Sequence, residues 1–138
     1  TSRDPSMATS AVVLTFPSSN VHPRDGENDI YDMPPEKVGV DRTSFYTFIH
    51  KPFGTVHDQE WVVHPVSALD WHTVALEWTP SQMRLYRDGE LVRTIDETSA
   101  DLIPDVKHFL AIQLDPWQHS LLEPVWMQVD YAKVESPC

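Results

Sequence analysis

The chain is organised around the stretch Gly26-Glu27-Asn28-Asp29-Ile30-Tyr31-Asp32, which places three carboxylates at positions i, i+2 and i+5. The segments on either side are typical of β-strands. Successive side chains of a strand alternate between its two faces, so Glu27 and Asp29 point to the same side. Asp32 joins them only if one extra residue is inserted as a β-bulge. We therefore predict a bulged strand that carries three acids on one wall.

Carboxylates that crowd together without a Lys or Arg nearby repel one another. Folding gains nothing from this arrangement unless the acids bind a metal or perform acid/base chemistry. The alternative is a solvated acidic turn, because Asp, Asn and Gly are ordinary loop residues and short motifs match by chance. Both interpretations are open at this point.

The composition of the chain favours a single all-β domain. Its 138 residues, 41% of them hydrophobic, are enough for one domain with a buried core. Twelve prolines are too many for a helical protein, since an interior proline breaks a helix. Short runs of Val, Ile, Trp, Tyr and Phe separated by Pro, Gly, Asp and Ser are typical of strands joined by turns.

Several strands can be placed from these runs. The apolar segment 11–16 predicts a first strand buried on both faces, and residues 44–50 predict a second strand after the acidic one. The pair Asp88-Gly89 predicts a two-residue type I′ hairpin. That hairpin would set Arg87 opposite Glu90 and Leu85 opposite Val92. Residues 106–114 and 125–134 are the last predicted strands, and residues 1–9 are predicted to be a disordered lead-in to a domain over 10–138.

Charge excludes several classes of partner. Ten basic and 21 acidic residues give a net charge of −11, which repels nucleic acid and anionic membranes and favours a neutral sugar over a charged one. No apolar run approaches the roughly 20 residues of a membrane span. Residues 1–8 lack the order of a signal peptide. The one cysteine, Cys138, makes an internal disulfide impossible.

Several stretches together resemble glycoside hydrolase family 16. The acidic strand resembles the family signature Glu-(Ile/Leu/Val)-Asp-x-x-Glu, residues 70–80 resemble Asp-Phe-His-x-Tyr-x-x-Glu-Trp-x-Pro, and residues 129–134 resemble Val-Asp-Tyr-Val-Arg-Val. The resemblance is collinear over about residues 10–134. It implies an antiparallel β-sandwich, a jelly roll of the concanavalin A-like kind.

The family's N-terminal third has no counterpart in this sequence. A sandwich without its first strands would leave sheet edges and an apolar face open. We therefore expect an incomplete sandwich that a homo-oligomer could complete by supplying the missing strands.

The resemblance assigns roles to the three acids. Glu27 stands at the nucleophile, Asp29 at the assisting acid and Asp32 at the general acid/base, where the family has Glu. Asp32 is expected to have a pKa raised by the two neighbouring acids. Because Asp is one CH₂ shorter than Glu, its carboxyl would be drawn back by roughly 1 to 1.5 Å and activity would be impaired.

The resemblance and the strand pattern also suggest residues that would contact a sugar. His22 occupies the place of a sugar-stacking Trp, His50 is expected to face the cleft, and Gln113 stands where the family has Asn. Aromatic rings stack on pyranose rings, and the candidates are Tyr46, Phe48 and, above all, Trp117. The alternatives are an edge histidine facing water for His50 and core positions for the aromatic residues.

No metal or cofactor is predicted. His50, His57, His64 and His72 are too far apart in sequence for typical zinc spacing, and surface positions are expected for them instead. The family's structural calcium would lie near Asp130, but its other ligands belong to the segment without a counterpart here.

The sequence thus predicts a retaining endo-β-glucanase-like hydrolase of a neutral β-glucan, with impaired activity. Two alternatives are open: a non-catalytic, lectin-like carbohydrate-binding sandwich, and a truncated structural remnant that is stable as an assembly. The resemblance implies a secreted, extracellular location.

Overall fold

A computed structural model describes residues 1–117 and 120–135. They form two antiparallel sheets, as predicted, with very little helix. The five-stranded sheet has the order β4-β3-β2-β1-β8, and the three-stranded sheet has the order β5-β6-β7. The strands are β1 Thr9–Pro17, β2 Glu27–Asp32, β3 Phe45–His50, β4 Gln59–His64, β5 Val74–Thr79, β6 Gln82–Arg87, β7 Glu90–Ile95 and β8 His108–Pro116; one helix, α1 Pro35–Val38, and one 3₁₀ helix, Glu97–Leu102, complete the elements.

The two sheets pack face to face, which confirms the predicted β-sandwich. Ile49 of the larger sheet is buried against Met83 and Ile95 of the smaller one. A second cluster, built around Phe45 and Tyr31, continues the core toward the other end of β2 and β3. The alternation predicted for β3 is observed, with Phe45 and Ile49 on this inner face.

The predicted type I′ hairpin forms between β6 and β7. Asp88 and Gly89 both have positive φ angles, 52° and 81°, and Arg87 pairs with Glu90. The predicted pairing of Leu85 with Val92 is wrong, since Leu85 lies opposite Arg93. The physical reason is a bulge between Leu85 and Tyr86, which shifts the register by one residue.

Residues 125–134 do not form the predicted strand. In the described part of the chain they pair with none of the strands and run as irregular backbone. They are fastened instead at Trp126, whose backbone N–H donates to Ser2 Oγ at 3.0 Å and whose carbonyl accepts from the Ser2 N–H. Cys138 lies outside the described residues.

The expected disordered lead-in over residues 1–9 is packed against the sheet. Asp4 and Arg42, each 1% exposed, form a buried ion pair with Arg42 Nη2 3.2 Å from Asp4 Oδ2. The backbone N–H groups of Ala8 and Thr9 donate to the same oxygen at 2.9 Å each. A charge partner far along the chain, invisible to local sequence patterns, explains this order.

None of the helices in the described part of the chain is long and apolar enough to cross a membrane.

Removing the Asp4 carboxylate should destabilise the protein strongly. In Asp4→Ala, the Arg42 guanidinium remains buried without its charge partner, and such a change costs about 3 to 5 kcal/mol. The free energy of unfolding in urea measures the loss.

Asp41→Ala is the matched control, because its ion pair with Arg3 leaves both side chains 65% exposed. Exposed pairs contribute about 1 kcal/mol or less. Equal losses in the two variants would contradict a structural role for the Asp4–Arg42 pair.

Candidate active site

Gly26 fixes the entry into β2. Its φ is +74°, a conformation that side chains other than glycine rarely adopt, and a Cβ here would lie 2.9 Å from Pro104 Cγ and 3.1 Å from Pro52 Cγ. Glu27, the first residue of β2, follows directly. The glycine therefore sets the position from which the first acid projects.

The predicted bulge is present in β2. Asp29 lies opposite Phe48, and Asp32 lies opposite Tyr46. The two acids are three residues apart on β2, whereas their two partners are only two residues apart on β3. Phe48 and Tyr46 share a face of β3, so Asp29 and Asp32 share the corresponding face of β2. Glu27, opposite His50, joins them.

The acids and the predicted residues of β3 thus line one face of the sheet. His50 Nε2 lies 3.2 Å from Asp29 Oδ2, and the side chain of His50 is 14% exposed, which excludes an edge histidine facing water. Asp29 is 5% exposed, which excludes a solvated acidic turn. Phe48 is buried, and Tyr46 is half-buried beside it.

A chain of hydrogen bonds holds the bulge. Thr47, on the inner face, donates its hydroxyl proton to the Ile30 carbonyl at 3.1 Å and lies 2.9 Å from His64 Nε2. Because that single proton is given to Ile30, His64 Nε2 must be the donor to Thr47. His64 is fully buried, which corrects its predicted surface position. Burial lowers the pKa of His64 to about 4, which keeps the ring neutral.

Glu27 and Asp29 both have raised pKa values. Burial raises the pKa of each carboxyl to about 7, and the charge of Asp29 raises the pKa of Glu27 further. In the described part of the chain, only histidines lie within ion-pair distance of the two carboxyls. Burial also lowers the pKa of His50, so the histidine does not neutralise them.

Asp32 is the third acid of the wall. The Ser10 hydroxyl donates to its Oδ1 at 2.8 Å. Burial raises the pKa of Asp32 to about 6 despite that hydrogen bond, and the charge of Glu36 raises it further. The direction agrees with the sequence prediction, but the cause is different: burial and Glu36 are responsible, rather than the two acids beside it on β2.

Behind Glu27 lies a polar group of residues that sequence reasoning did not find. Asn28 is fully buried on the opposite face, and its Nδ2 donates to Thr15 Oγ1 at 3.0 Å. Thr15 Oγ1 in turn lies 3.1 Å from His108 Nδ1. Asn28 stands where the family signature has an aliphatic residue, and its partners come from β1 and β8, which the local pattern cannot reveal.

Three other predicted sugar-contacting residues lie in different places. His22 is beside the acids, with Nε2 3.8 Å from Glu27 Oε2. Gln113 is half-buried on β8 and shares the face of Asp32, since both lie opposite Val12. Trp117 follows β8 and is 46% exposed, with its backbone N–H bound to the Ala8 carbonyl. Their contacts with a sugar remain predictions.

The aromatic surface extends onto β4. Trp61, which lies opposite Phe48, is half-exposed. The Lys37 ammonium lies 5.3 Å from the Trp61 ring centroid and 5.7 Å from that of Tyr46. Sequence reasoning missed Lys37, because α1 brings it over the sheet from a loop.

Metal-ligating groups come together at one place in the described residues. Atoms of Glu27, Asp29 and His50 lie within 4.8 Å of one another, and no other such group of three acidic, His or Cys side chains occurs in residues 1–117 and 120–135. Asp130, the candidate for a calcium site, is exposed in irregular backbone.

A small cavity between the two sheets is unrelated to the acids. It is lined largely by apolar side chains of the inner faces, including Ile49, Val62 and Leu85. These residues lie on the side of the sheet opposite the acidic wall, so the cavity is a packing gap.

The fold and the site together define a class of protein: a concanavalin A-like β-sandwich with a row of buried acids on one strand. The family model of glycosyl hydrolases family 16 matches residues 8–133. The chain therefore belongs to glycosyl hydrolases family 16. A search of curated protein sequences found no significant match.

Solved structures of glucanases share the fold. The catalytic domain of an endo-1,3-β-glucanase (laminarinase) from Thermotoga petrophila RKU-1 is 20% identical, with a TM-score of 0.67 over 86% of this chain and 51% of that one. The endo-β-1,3-glucanase from Pyrococcus furiosus is 14% identical, with a TM-score of 0.65 over 89% of this chain and 52% of that one. The present chain thus spans about half the length of these structures.

Neutralising Asp29 should stabilise the protein at high pH. Because the folded state raises the Asp29 pKa from 3.8 to about 7, folding becomes less favourable as the pH rises through that window. Asp29→Asn removes this penalty. We expect the free energy of unfolding to increase by about 2 kcal/mol at pH 8 and to change little at pH 4.

Denaturant unfolding at the two pH values measures the effect. Asp105→Asn is the matched control, since Asp105 is exposed. A loss of stability at pH 8, or the same change at both pH values, would contradict the buried charge proposed for Asp29.

Proposed function

We propose that this chain is a retaining endo-β-glucanase-like hydrolase with impaired activity toward a neutral β-glucan. The observation that carries the proposal is the common face of Glu27, Asp29 and Asp32, with His50 bound to the middle acid. The similar solved structures are named as endo-β-1,3-glucanases. The net charge of −11 favours a neutral polymer over a charged one.

In the proposed first step, the Glu27 carboxylate attacks the anomeric carbon. The glycosidic C–O bond breaks, and Asp32 gives its proton to the leaving oxygen. A water molecule then attacks the covalent glycosyl–enzyme, Asp32 takes the proton of that water, and Glu27 is released. The sugar leaves with its original anomeric configuration.

The raised pKa values suit the proposed roles of Asp32 and Glu27, provided that Glu27 is ionised. Burial, which raises the pKa of Asp32 to about 6, favours a protonated general acid. Glu27 must be ionised to attack, so Asp29 is the one of these two carboxyls that has to carry a proton. With that proton, Asp29 donates a hydrogen bond to the nucleophile and is a positioning residue.

Asp32 is the reason to expect low activity. An aspartate carries its carboxyl one CH₂ closer to the backbone, and a displacement of about 1 Å can reduce a rate by on the order of a hundredfold. The hydrogen bond from Ser10 further holds the Asp32 carboxyl toward β1.

Lengthening the general acid should increase hydrolysis. In Asp32→Glu we expect reducing-sugar release from laminarin or lichenan to rise by about ten- to a hundredfold, because the proton donor regains its reach. Adding Glu27→Gln to the Asp32→Glu variant should reduce reducing-sugar release by at least about a hundredfold, since the nucleophile is lost.

Glu90→Gln, which alters an exposed hairpin residue, is the matched control and should leave the rate unchanged. No hydrolysis by either the wild type or Asp32→Glu would contradict the enzymatic proposal.

A carbohydrate-binding module without catalysis is the second candidate. The half-exposed Trp61 beside Tyr46 favours it, since exposed aromatic rings suit stacking on a pyranose ring. Binding of laminarin without release of reducing sugar, in both the wild type and Asp32→Glu, would support this candidate. The extracellular location expected from the family resemblance belongs to either proposal.

We also propose that the chain self-associates through β8. This nine-residue strand is the edge of the larger sheet, and its inner face leaves Ile112 and Leu114 46% and 40% exposed. Antiparallel pairing of two copies about Ile112 would set Asp115 of one copy opposite Phe109 of the other, without opposing like charges. This arrangement supports a two-fold dimer.

Light scattering after gel filtration should detect the dimer. Ile112→Lys is expected to shift it to monomer, because two ammonium groups would meet at the centre of the pairing. Leu122→Lys, at a residue 76% exposed and outside β8, is the control and should remain dimeric. A wild-type monomer at all concentrations would contradict the proposal.

A further inference from the structure

Two imidazole rings and two carboxylates converge at the start of β2. His22 Nε2 lies 3.8 Å from Glu27 Oε2, and His50 Nε2 lies 4.0 Å from Glu27 Oε1 and 3.2 Å from Asp29 Oδ2. The two rings meet edge to face with centroids 5.3 Å apart. Ligand atoms of Glu27, Asp29 and His50 lie within 4.8 Å of one another, and His22 approaches this group at Glu27.

The partners of these groups are incomplete. Asp29 Oδ1 and His22 Nε2 are buried without a hydrogen-bond partner among the described residues. The Asp29 side chain is only 6% exposed, so water reaches it poorly. A buried polar atom without a partner is costly, and an unrecorded ligand is one common explanation. The hydrolytic mechanism gives no role to the nitrogen of His22.

The measured separations in this group are close to those around a tetrahedral ion. Zinc binds imidazole nitrogen and carboxylate oxygen at about 2.0 to 2.2 Å, which places neighbouring ligand atoms about 3.3 Å apart in a tetrahedron. The three measured separations, 3.2, 3.8 and 4.0 Å, differ from that spacing by less than about 1 Å. Small rotations about the side-chain torsions of Glu27 and His22, which are 15% and 23% exposed, can close such gaps.

The donor set selects the class of ion. Two imidazoles with two carboxylates suit zinc and neighbouring divalent transition metals. Calcium and magnesium prefer six or more oxygen ligands, or several retained waters, and imidazole is a poor partner for them. The negative charge that the carboxylates gain on ionisation would be offset by the dication.

We propose that His22, Glu27, Asp29 and His50 form a binding site for Zn²⁺ or a similar divalent transition metal. Binding requires both carboxylates to be ionised. An occupied site also holds Glu27 as a ligand, so it cannot attack a sugar. This last consequence, inhibition by the metal, rests on the proposed hydrolytic function, whereas binding does not.

Calorimetric titration of the chelator-treated protein with zinc chloride tests binding in the absence of any glucan. We expect one Zn²⁺ per chain. His22→Ala and His50→Ala should each weaken binding by at least about tenfold, because each removes a ligand. His57→Ala, which alters an exposed loop histidine, is the matched control and should bind like the wild type.

Cobalt(II) gives a second readout, since a tetrahedral site produces strong visible absorption. The wild type and His57→Ala should show this absorption, and His22→Ala should lose it. Thermal unfolding establishes that each variant is folded; if His50→Ala is not, His22→Gln replaces it, because His22 lies in a loop outside the sheet.

Two results would overturn the site: absence of stoichiometric zinc binding in the wild type, or equal affinities of His22→Ala and His57→Ala. Hydrolysis is measured separately, with and without zinc. Zinc binding by a chain that never hydrolyses glucan would refute the proposed function and leave the metal site standing. Hydrolysis that is unaffected at saturating zinc would refute the inhibition and the participation of Glu27.

Discussion

The insertion of Ile30 into β2 is the constraint on which the acidic wall depends. Side chains of a strand alternate, so without an extra residue Asp32 would point between the two sheets, away from Glu27 and Asp29. The bulge costs backbone hydrogen bonding, and Thr47 compensates by binding the Ile30 carbonyl, with His64 behind it. A neutral buried histidine on the inner face thus holds the geometry of the outer face.

Ionisation of the acids in this wall opposes folding. Glu27, Asp29 and Asp32 all have pKa values raised by burial, which means that their ionised forms are less stable in the folded chain than in water. The sheet offsets this cost through its pairing, in which β1 is hydrogen-bonded to β8 over all nine residues and to β2 over residues 12–15. Such a local conflict, compensated elsewhere, is typical of functional sites, since stability alone would remove it.

Sequence patterns predicted what local chemistry determines and failed where distant partners decide. The alternation of β3 and the Asp88-Gly89 turn depend on neighbouring residues, and both are confirmed. The order of residues 1–9 depends on Arg42, many residues away. The proximity of His22 to Glu27 likewise arises from a loop that folds back on β2, and no spacing in the sequence reveals it.

The difference in size between the two sheets exposes one edge of the molecule and leaves the acidic wall unaffected. Five strands face three, and the deficit leaves Ile112 and Leu114 of the edge strand β8 uncovered on the inner face. The acids lie on the outer face of β2, which has β1 on one side and β3 on the other. Because each of these strands is itself paired again, the geometry of the wall does not depend on what covers β8. A chain that spans about half the length of these solved structures can therefore hold the acidic wall in place.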